Sequence, residues 1–251
     1  MPSDGPPQGP PWLEAAMADP VRSLVVDRAS DDLAPDATCV PAEVPAMVCF
    51  GGLANGTAAA PFEFVRQTSE LGVHRVFVRD LGQCWYQRGL PGTSEGVAAT
   101  ARHLAAVLDD LSPSRRVFVG NSSGAFAAVL FGVLAGADEI VAFATQASIT
   151  RIGRLRSRDR RWPGQVSAAR RASNDRSHVD LVRLLESRPY TGQITVHHGD
   201  HDPMDTRSAH RLGRIPGVAV VSHAGGHLFI RKLRERNELL PILAEALRPS
   251  G

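Results

Sequence analysis

Short, mostly apolar runs rich in β-branched residues alternate along the chain with longer stretches rich in Ala and Leu. The short runs predict strands at residues 23–27, 46–50, 75–79, 116–119, 139–144, 193–197 and 218–222. The longer stretches predict helices at residues 61–71, 94–110, 123–134, 180–186, 204–211 and 228–247, with Pro241 restarting the last one. Several strands are uninterrupted apolar runs, which is typical of strands covered on both faces. The alternation predicts an α/β fold class with a doubly wound, mainly parallel sheet.

Two segments interrupt this alternation. Residues 1–20 contain six prolines and predict a flexible Pro-rich N-terminal arm, because such a composition cannot bury enough apolar surface to become ordered. Residues 150–176 contain nine arginines and few aliphatic side chains. We therefore predict a small Arg-rich lid or cap insertion over residues 150–192, within a single domain that spans residues 21–251.

Composition narrows the class of protein. The chain of 251 residues is 43% apolar and 22% charged, with a net charge of +2, which is too balanced for a general nucleic-acid binder. Three cysteines (Cys39, Cys49 and Cys84) show no CxxC spacing, so neither a disulfide scaffold nor a zinc ribbon is predicted. No apolar run approaches the roughly 20 residues that span a bilayer, and no secretory signal pattern is visible. We expect a cytoplasmic protein without membrane partners.

The segment Gly120-Asn121-Ser122-Ser123-Gly124 carries the strongest chemical signal. It follows an apolar strand and is followed at once by an Ala-rich helix, which is the context that a Gly-x-Ser-x-Gly nucleophile elbow needs. Ser122 is the candidate nucleophile rather than Ser123, because only Ser122 has glycines two residues before and after it. The alternative is a glycine-rich turn in which the serine merely caps the helix.

A serine nucleophile needs a base and a carboxylate that orients the base, and both are expected at the ends of later strands. The strand at 193–197 is followed by Asp200 and Asp202, of which Asp202 is favoured as the acid. Asp200 or Asp205 is interpreted as a solvent-facing turn residue or helix cap. The next strand is followed by His223 and His227, and His227 is the predicted base because a Gly-Gly loop precedes it.

These residues resemble the α/β-hydrolase superfamily over about residues 45–247. The matching motifs are those at residues 120–124, 199–203 and 225–227. The resemblance implies the α/β-hydrolase fold, with Ser122 as nucleophile, Asp202 as acid and His227 as base. The superfamily hosts several kinds of chemistry, so the resemblance indicates the catalytic apparatus better than the substrate.

The segment Phe50-Gly51-Gly52-Leu53 is similar to the family's loop that donates an N–H group to the oxyanion. The family usually has His-Gly at this place, where the chain has Phe50. The resemblance implies an oxyanion hole made by the N–H group of Ser123 together with that of either Gly52 or Leu53.

Other features have weaker interpretations. Trp85 and Tyr86 follow a strand and are candidates for a substrate-pocket wall, with ordinary packing as the alternative. His197 and His198 point to opposite faces of a strand, so no metal site and no cofactor are predicted there. The Arg-rich segment suggests an anionic or carrier-bound acyl substrate, with a solvated basic flap as the alternative.

The predicted function is a serine hydrolase that cleaves an ester or thioester of a small molecule through an acyl-enzyme. One alternative is an acyltransferase or cyclase that uses the same triad in a biosynthetic pathway. A second alternative is a non-catalytic binding module on the same fold. The expected partner is a small-molecule acyl substrate rather than nucleic acid, and the chain is expected to be a monomer or a homodimer.

Overall fold

A seven-stranded sheet forms the centre of the computed structural model, which describes residues 11–29, 44–54, 62–188 and 190–248. In spatial order the strands are β1 (Leu24–Asp27), β3 (His74–Val78), β2 (Ala46–Phe50), β6 (Arg116–Asn121), β7 (Glu139–Phe143), β8 (Gln193–Gly199) and β9 (Val218–His223). Only β1 runs antiparallel to its neighbour. Every residue of β2, β3 and β7 is buried, as continuous apolar runs predict. A short hairpin of β4 (Gly89–Leu90) and β5 (Ser94–Glu95) lies apart from this sheet.

Helices cover both faces of the sheet. One face carries α3 (Gly96–Leu111), α4 (Ser123–Ala135), α7 (Leu181–Ser187) and α8 (Pro203–Leu212), which share one hydrophobic core. The other face carries α9 (Phe229–Glu235) and α10 (Leu239–Ala246), packed on a second core. The described part of the chain therefore confirms the doubly wound, mainly parallel α/β architecture.

Some predicted elements differ in extent. Residues 1–10 of the predicted arm lie outside the described residues, but residues 11–18 form α1 (Pro11–Ala18) rather than flexible chain. Ala16 and Met17 of α1 pack against the second core, which provides the burial that orders this helix. Of the helix predicted at 61–71, residue 61 lies outside the described residues, and within 62–71 only α2 (Val65–Thr68) forms, because Phe64 adopts a left-handed conformation immediately before it. The predicted helix at 228–247 breaks at Asn237, whose φ is 57°, and Pro241 lies in the first turn of α10.

The Arg-rich region is helical. Between β7 and β8 the chain forms α5 (Arg151–Ser157), α6 (Pro163–Ala172), a 3₁₀ turn (Arg176–Val179) and then α7. Val166 and Ala169 anchor α6 in the first core. The pattern did not predict α5 and α6, because short Arg-rich helices carry too few apolar positions to show a helical period. No helix among the described residues is long and apolar enough to cross a membrane.

Candidate active site

Ser122 occupies the sharp turn between β6 and α4. Its φ of 55° and ψ of −117° are a strained conformation for a residue with a side chain. Its N–H group donates to the carbonyl of Phe143 on β7, which fixes the turn to the sheet. Ser122 is 8% exposed, so only a small surface of the residue is open to solvent.

The two glycines of the motif make this turn possible. A Cβ atom at Gly120 would lie 2.1 Å from the carbonyl oxygen of Gly124. A Cβ atom at Gly124 would lie 2.2 Å from the carbonyl oxygen of Phe50 at the end of β2. Since real Cβ contacts are never so short, any larger residue at either position would push the elbow away from the sheet.

His227 lies in the loop after β9 and reaches the elbow. Its Nε2 atom is 3.1 Å from Ser122 Oγ. The loop holding it packs closely on the end of β8, because a Cβ atom at Gly199 would lie 2.4 Å from the carbonyl oxygens of Gly225 and Gly226. The structure thus brings together Ser122 and His227, the nucleophile and base that the sequence predicts.

The carboxylate that contacts His227 is that of Asp205, whereas the sequence favoured Asp202. Asp205 Oδ2 lies 2.6 Å from His227 Nδ1, and Asp205 is 1% exposed. Asp202 instead is the N-cap of α8, where its Oδ1 accepts from the N–H groups of Met204 and Asp205. The two roles are therefore exchanged: the expected cap lies against the histidine, and the expected acid is the cap.

The short distance to Asp205 defines the tautomer of His227. A carboxylate oxygen and a bare ring nitrogen would repel each other at 2.6 Å, so we assign the proton to Nδ1. The lone pair of Nε2 then faces the hydroxyl of Ser122 and can accept its proton.

Arg161, which the sequence did not single out, joins this group from the loop between α5 and α6. Its Nη2 lies 2.8 Å from Asp205 Oδ1 and 2.8 Å from Asp159 Oδ2. Although burial opposes it, the bonds from Arg161 lower the pKa of Asp159, and the carboxylates of Asp159 and Asp205 raise the pKa of Arg161. Arg161 Nη1 also lies 2.9 Å from His227 Nδ1; because a guanidinium can only donate, this contact is not a hydrogen bond when Nδ1 carries its proton for Asp205. One arginine in a segment of nine gave no sequence signal for this position.

Trp85 and Tyr86, the predicted pocket wall, are fully buried in the first core. The Tyr86 hydroxyl donates to the carbonyl of Gly51, so it holds the end of β2 in place. An aromatic side chain beside the site is Trp162, whose ring centroid lies 5.8 Å from that of His227 and 6.3 Å from that of Trp85. Trp85 therefore packs against Trp162, which lies between Trp85 and His227. Trp162 is the only tryptophan in the Arg-rich segment.

The structure distinguishes between the two oxyanion candidates in the β2 loop. The N–H group of Gly52 donates to Glu63 Oε1 at 3.0 Å and is therefore occupied. Within the part of the chain that the structure describes, no acceptor is hydrogen-bonded to the N–H group of Leu53 or of Ser123. Glu63 is itself held by Arg234, 3.1 Å away, and by Asn121 of the elbow.

Asp202, Asp205 and His227 also present ligand atoms within 4.8 Å of one another, as a cation site would require. The Arg161 guanidinium lies among them, with Nη1 3.6 Å from Asp202 Oδ2. A positive charge of this protein already occupies the centre of the group, so these donors do not fit an additional metal ion.

Solved structures with the same architecture identify the fold. The fluorophosphonate-binding serine hydrolase F of Staphylococcus aureus aligns with a TM-score of 0.61 at 11% identity, over 91% of this chain and 95% of that chain. The capsule O-acetyltransferase of Neisseria meningitidis serogroup A aligns with a TM-score of 0.59 at 11% identity, over 87% and 90%. A hyperthermophilic esterase from Pyrobaculum calidifontis aligns with a TM-score of 0.58 at 13% identity, over 94% and 86%. The chain has the α/β-hydrolase fold.

This agreement confirms the resemblance predicted from the three sequence motifs. No protein-family model matches the chain, and no curated protein is significantly similar to it. At identities of 11–13% the α/β-hydrolase neighbours establish the fold alone. The chemistry has to be inferred from the side chains of the site.

Proposed function

We propose that this protein is a serine hydrolase that cleaves an ester or thioester through a Ser122–His227–Asp205 triad. The observation that carries the proposal is the continuous chain of contacts from Ser122 Oγ through His227 to the buried carboxylate of Asp205. A serine hydroxyl is a weak nucleophile on its own and gains reactivity from such an adjacent, oriented base. Its position at a strained elbow is a second, independent feature of the same chemistry.

In the first half-reaction, Ser122 Oγ attacks the acyl carbon while its proton moves to His227 Nε2. The negative charge that develops on the carbonyl oxygen is stabilised by the N–H groups of Ser123 and Leu53. The positive N-terminal end of α4 adds to this stabilisation. His227 then gives its proton to the departing alcohol or thiol, which leaves an acyl ester on Ser122.

In the second half-reaction, water loses a proton to His227 Nε2 and attacks the acyl carbon. The proton returns to Ser122 Oγ as the carboxylic acid leaves, so the enzyme is regenerated. Asp205 stays ionised throughout and stabilises the imidazolium that forms in each half. The α5–α6 loop, which holds Trp162 beside His227, forms one wall of the acyl pocket and acts as part of a lid.

Acyl transfer is the second candidate. It is favoured by the likeness to the meningococcal capsule O-acetyltransferase, another structure of which is a complex with CoA. The two candidates share the acyl-enzyme and differ only in whether water or an alcohol attacks it. Product analysis after acylation, with and without added alcohols, separates them.

The deciding experiment is intact-protein mass spectrometry after incubation with a fluorophosphonate. We expect one phosphonyl adduct on the wild type and none on Ser122→Ala. Ser123→Ala is the matched control, because Ser123 Oγ is buried and forms no hydrogen bond among the described residues. It should still label. Absence of an adduct on a folded wild type would contradict the hydrolase and the transferase and favour a non-catalytic binding module.

A further inference from the structure

A large cavity in the described part of the molecule lies outside the triad. It has a volume of about 940 Å³ and is bounded by α5, α6, the 3₁₀ turn, α7 and one residue of α8. Neither Ser122, Asp205 nor His227 lines it. Ligand sites of drug-sized molecules fall in the range of about 300–1,000 Å³, so this cavity is large enough for one.

The lining is strongly basic. Seven arginines face the cavity, against two carboxylates, those of Asp180 and Glu186. The arginines come in pairs from α5 (Arg151, Arg156) and α6 (Arg170, Arg171), and singly from the 3₁₀ turn, α7 and α8 (Arg176, Arg183, Arg211). Six of the seven lie within residues 151–183 and Arg211 lies on α8, so the fold gathers charges from five elements around one cavity.

Some arginines elsewhere in the molecule form ion pairs, whereas the cavity arginines form none with the described residues. Arg115 contacts Glu139 at 3.1 Å, and Arg116 contacts Asp109 at 2.7 Å. By contrast, among the described residues no carboxylate lies within 4.0 Å of any of the seven cavity arginines. Their charges are therefore available to an anion from solution.

Two of the seven are partly buried in the wall, and a hydrogen bond holds one of them, Arg211. Arg170 and Arg211 are half-buried, and Arg211 Nη1 donates to the carbonyl of Gly153 at 3.4 Å. Burial lowers the pKa of Arg211, and the nearby charges of Arg156 and Arg214 add to that effect against the charge of Asp180. The positive charges around the cavity repel one another, and an anion would relieve the repulsion.

The cavity also has an apolar part. Ile152, Val179 and Val182 contribute to its lining, and Ile152 is 65% exposed despite its size. An inorganic anion would leave this surface in water, whereas a ligand with an apolar or aromatic group would cover it. Guanidinium groups pair with phosphate oxygens in a bidentate manner, which favours phosphate among the anions.

We propose that this cavity binds an organic phosphate of about nucleotide size, with its phosphates on the arginines and its apolar group on Ile152. The proposal does not rest on the triad. Binding is therefore measured on full-length Ser122→Ala protein as well as wild type, and we expect the same affinity for both.

The test is isothermal titration calorimetry with adenosine 3′,5′-bisphosphate, inorganic tripolyphosphate and unphosphorylated adenosine. At about 0.15 M salt, exposed charges are screened beyond about 8 Å, so general attraction contributes little. We expect the bisphosphate to bind and adenosine not to. Tighter binding of the bisphosphate than of tripolyphosphate supports an organic ligand. The reverse order would overturn that part of the proposal.

Variants assign the binding to the cavity. Arg170→Gln combined with Arg211→Gln should weaken the bisphosphate about 10- to 100-fold, because each removes a charge-assisted hydrogen-bond donor. The control, Arg231→Gln combined with Arg236→Gln, removes two exposed charges at α9 on the other face of the sheet and should change the affinity less than about threefold.

A further pair of variants guards against misfolding. Arg176→Gln combined with Arg183→Gln removes two exposed side chains from the rim of the cavity and should also weaken binding. This variant keeps the proposal testable if the variant at Arg170 and Arg211 does not fold. No binding of the bisphosphate to the wild type, or an equal loss in the α9 control, would overturn the proposal. Neither outcome affects the fluorophosphonate result, so the two proposals fail separately.

Discussion

Arg161 and the seven arginines around the neighbouring cavity, six of which lie in the same insertion as Arg161, have opposite surroundings. Arg161, in the loop between α5 and α6, is surrounded by the carboxylates of Asp159 and Asp205 and touches His227. The seven arginines around the neighbouring cavity have no carboxylate within ion-pair distance among the described residues. A count of charges in the sequence treats both sets alike. The difference indicates that Arg161 positions the protein's own groups, whereas the cavity arginines are open to a ligand.

The largest effect is expected from replacing Asp205, the carboxylate that contacts both Arg161 and His227. Asp205→Asn should lower the turnover of an ester substrate about 10³–10⁴-fold, because an amide neither holds the tautomer of His227 nor stabilises its protonated form. Asp202→Asn keeps a capping oxygen on α8 and should retain turnover within about tenfold. Steady-state rates of both variants, after circular dichroism shows them folded, give the comparison. The opposite ranking would assign the acid to Asp202.

Asp202 and Asp205 also show which part of the site could be predicted from the sequence and which part could not. The seven strands, the elbow at Ser122 and the approach of His227 could all be predicted, because each depends on local pattern and on the order of strands. Asp202 and Asp205 lie three residues apart on either side of a helix start, and both residue types suit a cap. Which carboxylate points at the histidine depends on where α8 begins, and periodicity does not define that boundary well enough.

Arg161 could not be predicted for a different reason. Its role depends on the path of the loop between α5 and α6, and those helices are too short and too polar to show a period. The oxyanion loop gave a similar ambiguity. Only the contact between Gly52 and the distant Glu63 shows that the N–H group of Gly52 is occupied.

The next effect concerns Arg161 itself. Arg161→Gln should lower turnover about 10- to 100-fold, because it leaves Asp205 with one partner instead of two and removes an anchor of the loop. Arg161→Lys should recover only part of the loss, since an ammonium group cannot reach both carboxylates as a planar fork does. Added guanidinium ion should partly restore an Arg161→Ala variant. A merely structural role would show loss of folding and no rescue by guanidinium.

A smaller effect is expected on stability against pH. The bonds from Arg161 lower the pKa of Asp159 in the folded state, so this pair stabilises the protein above the unfolded pKa near 4 and ceases to do so as the pH falls through the folded pKa. Asp159→Asn should therefore reduce the free energy of unfolding by about 1–2 kcal/mol at pH 7. The difference from wild type should disappear in acid. Urea unfolding of both proteins between pH 7 and pH 2.5 measures it, and a difference that does not change with pH would contradict the pairing.

The smallest effect is expected from replacing one of the cavity arginines. Arg156 is exposed, lines the cavity, and adds to the positive charge that lowers the pKa of Arg211. Because no carboxylate among the described residues lies within ion-pair distance of Arg156, Arg156→Gln should leave the urea midpoint unchanged or raise it slightly by relieving repulsion. High salt screens that repulsion, so any gain should vanish there. A clear loss of stability would show that Arg156 is paired in solution and would contradict the contrast with Arg161. An unchanged or higher midpoint, together with a large loss of turnover in Arg161→Gln, would show that Arg161 is bound to groups of the protein and Arg156 is not.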